Sequence, residues 1–147
     1  LQVPNGSINV VPGRCLFSLD MRAPTDAQRD ALVADVLAQL DHIAERRGVR
    51  VKAELTMSAA AAPSAPEWQA RWERAVSALG VPLFKLPSGA GHDAMKLHEV
   101  MPQAMLFVRG ENGGISHNPR ESTTSDDMQL CVDAFTHVLN QLATELS

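Results

Sequence analysis

Five consecutive apolar residues, Ala104-Met105-Leu106-Phe107-Val108, constrain the fold more than any other stretch. A run this short and this apolar predicts a strand buried on both faces, the kind that parallel sheets cover with helices. Such a strand needs parallel neighbours. The residues around it instead predict helices: one carrying Trp68, Trp72, Val76 and Leu79 on one face and stopped by Gly80, a short one from Asp93 to about Glu99, and a long closing one. The second part of the chain therefore reads as the last slice of a larger α/β sheet.

The first part reads differently. Residues 1–22 predict two strands with turn residues at 9–14, since Cys15, Phe17, Leu19 and Met21 alternate with Leu16, Ser18, Asp20 and Arg22. Arg22 then shares a face with Ser18 and Asp20. Thr25 and Gln28 have capping-box spacing, Leu32, Val33, Val36, Leu37, Leu40 and Ile43 make a helical stripe, and Gly48 is placed to end it. Val49, Val51, Ala53, Leu55 and Met57 alternate with polar residues, predicting a strand with one wet face. The order β-β-α-β suffices for a two-layer α+β unit. Residues 58–66, SAAAAPSAP, break the pattern and read as a crossing between two parts, 1–60 and 61–147. Beyond them, Ser64 and Glu67 offer another capping box, and Ser122 to Ser125 precede the last helix, with Asp126 and Asp127 at its positive end. The buried stripe of that helix is predicted at Met128, Cys131, Phe135, Val138, Leu139, Leu142 and Leu146.

Composition narrows the partners. The chain has 147 residues, 45% apolar and 20% charged, with a net charge of −4. No basic stripe points to nucleic acid, and no apolar run is long enough for a membrane span. Cys15 and Cys131 lie in apolar-patterned segments without a C-x-x-C pair, so they read as buried free thiols, which favours a reducing, cytoplasmic compartment.

Two of the five histidines stand at loop-to-element junctions after glycine. In Leu86-Pro87-Ser88-Gly89-Ala90-Gly91-His92-Asp93, the glycines allow positive φ and close approach of the backbone to another group. That makes either a small anion- or carbonyl-binding corner or a tight turn. In Gly113-Gly114-Ile115-Ser116-His117-Asn118-Pro119-Arg120-Glu121, the histidine follows the apolar run, where ligands of open α/β sheets bind. An imidazole there is a metal ligand or a proton carrier. One histidine does not make a metal site, and neither H-x-x-x-H nor H-x-D occurs. By themselves Asn9 is an ordinary turn residue and Arg22 an ordinary strand-end arginine.

Three stretches together resemble a known family: Pro4 to Gly13 running on to Leu19-Asp20-Met21-Arg22, Leu86 to Met95, and Gly114 to Glu121. They are similar to the hydantoinase/carbamoylase branch of the M20 metallopeptidase-like amidohydrolases, which includes N-carbamoyl-L-amino-acid hydrolases and allantoate amidohydrolases. The resemblance implies that residues 1–60 are the second half of an α+β lid, or dimerisation, domain. It implies that 61–147 are the C-terminal part of the α/β catalytic domain. The chain, which opens at Leu1, would then be the later portion of a longer enzyme. That enzyme would cleave the C–N bond of a ureido or carbamoyl group on a small carboxylate substrate, with two divalent metals, zinc or manganese, and would pair as a homodimer through the lid. Most metal ligands and the general-base glutamate would lie upstream, so this portion alone would be inactive and would hold no metal. The resemblance assigns His117 as its one metal ligand, Glu121 as a residue orienting the loop, Asn9 and Arg22 as the lid's N-x12-R substrate-binding pair, and Gly91 and His92 as the substrate corner of the catalytic domain. An M20 peptidase or aminoacylase, or a non-catalytic self-association module, are the rival readings. One stretch departs from the family's pattern: Arg109-Gly110-Glu111-Asn112 replaces a shorter small-residue turn.

Overall fold

Four helices account for the regular structure, and each boundary has a local cause. A computed structural model describes residues 1–147. The elements are α1 (Asp26–Arg47), α2 (Pro66–Ala78), α3 (Asp93–Leu97) and α4 (Ser125–Glu145). The chain divides into two units, Leu1–Ala60 and Ala61–Ser147. No helix is long and apolar enough to cross a membrane.

In the first unit, Thr25 caps α1 by accepting from the Gln28 backbone N–H at 3.3 Å. Gln28 answers with its side chain on the Thr25 hydroxyl rather than on the Thr25 backbone, a variant of the predicted box. Gly48 ends α1 at φ +62°, a left-handed conformation that costs glycine nothing, and its N–H and that of Val49 satisfy the Glu45 and Ala44 carbonyls. Arg29, on the first turns of α1, donates to Asp26, to Asp30 and, at 2.6 Å, to the carbonyl of Ala59. This ties the far end of the unit to the helix start.

The predicted β-β-α-β order is not found. Residues 1–22 contain one antiparallel bridge, Gln2 to Leu16, closed by hydrogen bonds of 2.7 and 2.8 Å. Residues 49–57 and 104–108 form no ladder and no helix. Period-two patterning states what a segment would bury, but a strand is stable only with paired neighbours and a covered face. Val49, Val51, Leu55 and Met57 have neither and are exposed. The Val33–Val36–Leu40 side of α1 is only half-buried for the same reason.

The second unit has a small, dense core. Ala75 of α2 meets Ala134 and Val138 of α4, all three buried, with Trp68, Trp72, Leu79, Leu106 and Leu142 around them. Alanines at the crossing let the helices approach closely. Trp72 and Phe135 pack edge-to-face, centroids 4.7 Å apart. Arg71 lies over Trp68 and grips Glu145 with two hydrogen bonds of 2.7 and 2.6 Å, linking the start of α2 to the end of α4. That hydrogen-bonded guanidinium holds the Glu145 carboxyl below its ordinary range. Of the predicted α4 stripe, Val138 is buried, whereas Met128, Phe135, Leu139 and Leu146 stay exposed, because α2 covers only part of the face.

One of the two predicted caps in this unit differs from expectation. The Ser64–Glu67 box does not form; Ala65 is the N-cap and Pro66 starts the helix, its fixed φ and absent N–H suiting the first position. Gln103 instead secures this entry. Its backbone carbonyl accepts from Ala65 at 2.7 Å and its buried side-chain amide reaches the Pro63 carbonyl at 3.3 Å. Thr124 caps α4, accepting from the Asp127 N–H at 3.0 Å, as its place in the Ser122–Ser125 run predicts. The thiols also differ: Cys15 is exposed and Cys131 half-buried, both free. Cys15 lacks the opposing sheet face that would have covered it.

Candidate functional site

Each sequence-predicted residue lies on irregular backbone within its own unit. In the first unit, Asn9 belongs to a turn in which its Oδ1 accepts from the Ser7 hydroxyl at 2.7 Å. Arg22 is exposed and forks onto Asp20, Nε to Oδ1 at 2.8 Å and Nη2 to Oδ2 at 2.5 Å. The alternation that put both on one face is thus realised without a sheet. The Arg22 hydrogen bonds hold the Asp20 carboxyl below its usual range, and Asp20 raises the guanidinium above its own. The side chain is therefore shaped to grip a carboxylate and already grips one.

In the second unit, Gly91 and His92 precede α3, with His92 in the N-cap position in extended conformation. The predicted positive φ at Gly89 and Gly91 is not found; the left-handed glycines are Gly48, Gly80, Gly113 and Gly114. A Cβ at Gly89 would meet nothing within 4 Å, and one at Gly91 only Met95 Sδ at 3.7 Å. This chain's own packing does not require glycine at either place. The ring of His92 lies against Ser88, Nε2 to Oγ 2.8 Å, a partner that sequence reasoning passed over. Its signal was the i, i+4 spacing across a small-residue turn.

His117 and Glu121 are brought together. His117 has φ +55°, uncommon for a residue with a Cβ, and its backbone N–H donates to Glu121 Oε2 at 2.8 Å. Glu121 Oε1 accepts from Ser116 at 3.4 Å, so one carboxylate spans the turn. The loop carrying them, residues 109–124, closes at its neck. The Glu111 N–H donates to the Ser122 carbonyl (2.9 Å), the Ser122 hydroxyl to Glu111 Oε2 (2.8 Å), Asn112 Nδ2 to the Arg120 carbonyl (2.8 Å) and the Thr123 hydroxyl to the Arg109 carbonyl (2.7 Å). Asn112, Gly113 and Gly114 follow one another in left-handed conformation, which asparagine and glycine tolerate best. Glu111 and Asn112, which depart from the family pattern, are thus the residues that fasten the loop.

The chemistry available to this chain alone is limited. No three His, Cys, Asp or Glu side chains come together to hold a metal. A structural zinc site needs four ligands and a catalytic one three, and His117 offers one imidazole. The residues present do not by themselves fit a metal centre.

The model of peptidase family M20/M25/M40 matches residues 2–141. The chain is similar to an N-carbamoyl-L-amino acid amidohydrolase of Geobacillus stearothermophilus, 36% identical over 97% of this chain and 35% of that relative. It is similar to a probable allantoate deiminase of Oryza sativa subsp. japonica, 34% identical over 93% of this chain and 30% of the relative. It is also similar to an allantoate amidohydrolase of Bacillus subtilis, 32% identical over 92% of this chain and 32% of the relative. The chain spans about a third of the length of these relatives. A match over residues 2–141, nearly the whole chain, means that the chain belongs to peptidase family M20/M25/M40.

Proposed function

We propose that this chain is the closing portion of a metal-dependent amidohydrolase that cleaves the terminal C–N bond of a ureido or carbamoyl group on a small carboxylate substrate. Water and the carbamoyl group would give ammonia, carbon dioxide and the free amine. The observation that carries the reading is the family match over residues 2–141, with relatives named for N-carbamoyl-L-amino acids and allantoate. Both named substrates carry a carboxylate and a ureido group, a pair of demands that Arg22 and His92 would meet.

Arg22 would take the substrate carboxylate in its fork, exchanging Asp20 for the ligand, with Asn9 as a second polar contact on the same unit. Gly91 would let the substrate approach the backbone, which accounts for a glycine that the chain's own packing does not demand. His92 would face the ureido end. His117 would contribute one imidazole to a metal centre whose other ligands, like the general-base glutamate, lie outside this chain, and Glu121 would hold the His117 backbone. Residues 1–60 would belong to a lid that also mediates homodimerisation, and 61–147 to the catalytic domain.

Replacing Arg22 by Ala in the whole protein tests the reading. Loss of a charged double hydrogen bond should raise KM for an N-carbamoyl amino acid by about 10- to 100-fold; an unchanged KM overturns the assignment. The family description also names peptidases, which favours a second reading in which N-acyl amino acids or dipeptides are cleaved instead. Comparing kcat/KM for carbamoyl, acyl and dipeptide substrates separates the two.

A further inference from the structure

The proton on His92 can be placed by counting what its neighbour offers. Ser88 Oγ makes three close contacts: His92 Nε2 at 2.8 Å, the Ala90 N–H at 3.2 Å and the Ala90 carbonyl at 3.3 Å. A hydroxyl has one proton and two lone pairs. The Ala90 N–H occupies one lone pair. The Ala90 carbonyl has no proton of its own, so the serine proton must go there if that contact is to be a hydrogen bond. Nε2 is then left with the second lone pair and must bring its own hydrogen. Donating the serine proton to Nε2 instead would leave the Ala90 carbonyl facing Oγ with no hydrogen between them. Only one assignment serves all three contacts. It puts the hydrogen of neutral His92 on Nε2 and leaves Nδ1 as the acceptor. Although His92 is the N-cap of α3, its side chain makes no capping hydrogen bond, so Nδ1 is not spent on the helix.

We propose that Ser88 is a positioning residue that fixes His92 as an Nε2–H tautomer, so that Nδ1 accepts a hydrogen bond from the terminal –NH2 of a ureido substrate. This rests on the functional reading above and deepens it. A carbamoyl group ends in a nitrogen that donates, whereas an acyl group ends in carbon at the same place. An acceptor held there pairs with the first and is left without a partner by the second, which is the basis of the selection.

The tautomer is read directly by 15N-histidine NMR of the neutral ring in the full-length protein. His92 should appear wholly as the Nε2–H form and become a mixture in Ser88→Ala. A neutral ring protonated on Nδ1 overturns the inference whatever the enzyme hydrolyses. Kinetics read the second half. The kcat/KM ratio for an N-carbamoyl over the corresponding N-acetyl amino acid should fall about tenfold in Ser88→Ala, the worth of one neutral hydrogen bond, and return in Ser88→Thr, which keeps the hydroxyl. An unchanged ratio in Ser88→Ala overturns the specificity role even if the tautomer is as assigned. Hydrolysis of neither substrate by the unaltered protein sinks the functional reading and the specificity role with it, while the NMR result still decides the tautomer.

Discussion

Residues 1–22 and the loop 109–124 are both irregular, and both carry proposed site residues, yet they are held in opposite ways. The first has one bridge, Gln2 to Leu16, and most of its apolar side chains lie open. The second is fastened by its own polar side chains, with Glu111, Asn112, Ser122 and Thr123 bonding across the neck and Glu121 holding the tip. A strand is shaped by neighbours; a loop of this kind is shaped by itself. The backbone of His117 is therefore held on a frame encoded within residues 109–124, whereas Asn9 and Arg22 sit on backbone that asks for a partner.

Breaking the loop at its tip should have the largest effect. Glu121→Ala removes the acceptor of the His117 N–H and, under the role proposed for His117, should lower kcat/KM of the whole protein about 10- to 100-fold, the usual range for residues that orient a metal ligand. Glu121→Gln keeps an acceptor oxygen and should retain most activity; equal losses in both would mean that charge, not the hydrogen bond, matters. At the neck, Asn112→Ala deletes the bond to the Arg120 carbonyl and places a less tolerant residue at φ +52°. A loss of about 1–2 kcal/mol by urea denaturation is expected. Gln2→Pro, which removes one of the two bridge hydrogen bonds in the first region, should cost under about 1 kcal/mol by the same measurement. A larger cost than that of Asn112→Ala would reverse the comparison.

Acid should produce the smallest effect. The Asp20 and Glu145 carboxyls are held below their ordinary values by Arg22 and Arg71. Such groups contribute stability that is fully present above the ordinary carboxylate range, near pH 4 to 4.5, and is lost as pH falls through the lowered folded-state value. Both pairs are solvent-screened, so the change is slight. Urea midpoints measured downward from pH 6 should decline in the wild type, and Glu145→Gln should flatten part of that decline.

Much of the helical structure was legible because its signals are local. Thr25, Gly48, Gly80 and Thr124 mark their boundaries within a few residues of sequence, and the structure uses them as caps or stops. Pro66 displaced the Ser64 cap because proline settles the first helical position by its ring alone. The strands were misread because pairing is not local: Val49 to Met57 alternates perfectly and still finds no edge to join. Cys15 is exposed for the same reason. At the candidate site, the residue types were visible but their partners were not. Asp20 beneath Arg22 followed from alternation, while Ser88 beside His92 depends on how a five-residue turn folds back.

The closure of residues 109–124 has a practical corollary. Since the hydrogen bonds across its neck begin and end within that stretch, and Arg109 reaches one turn further to Asp127 at the start of α4, the segment is portable together with that helix start. Spliced ahead of an unrelated helix with Thr124 and Asp127 retained, it should carry the left-handed turn at His117 into a new scaffold with its shape already set.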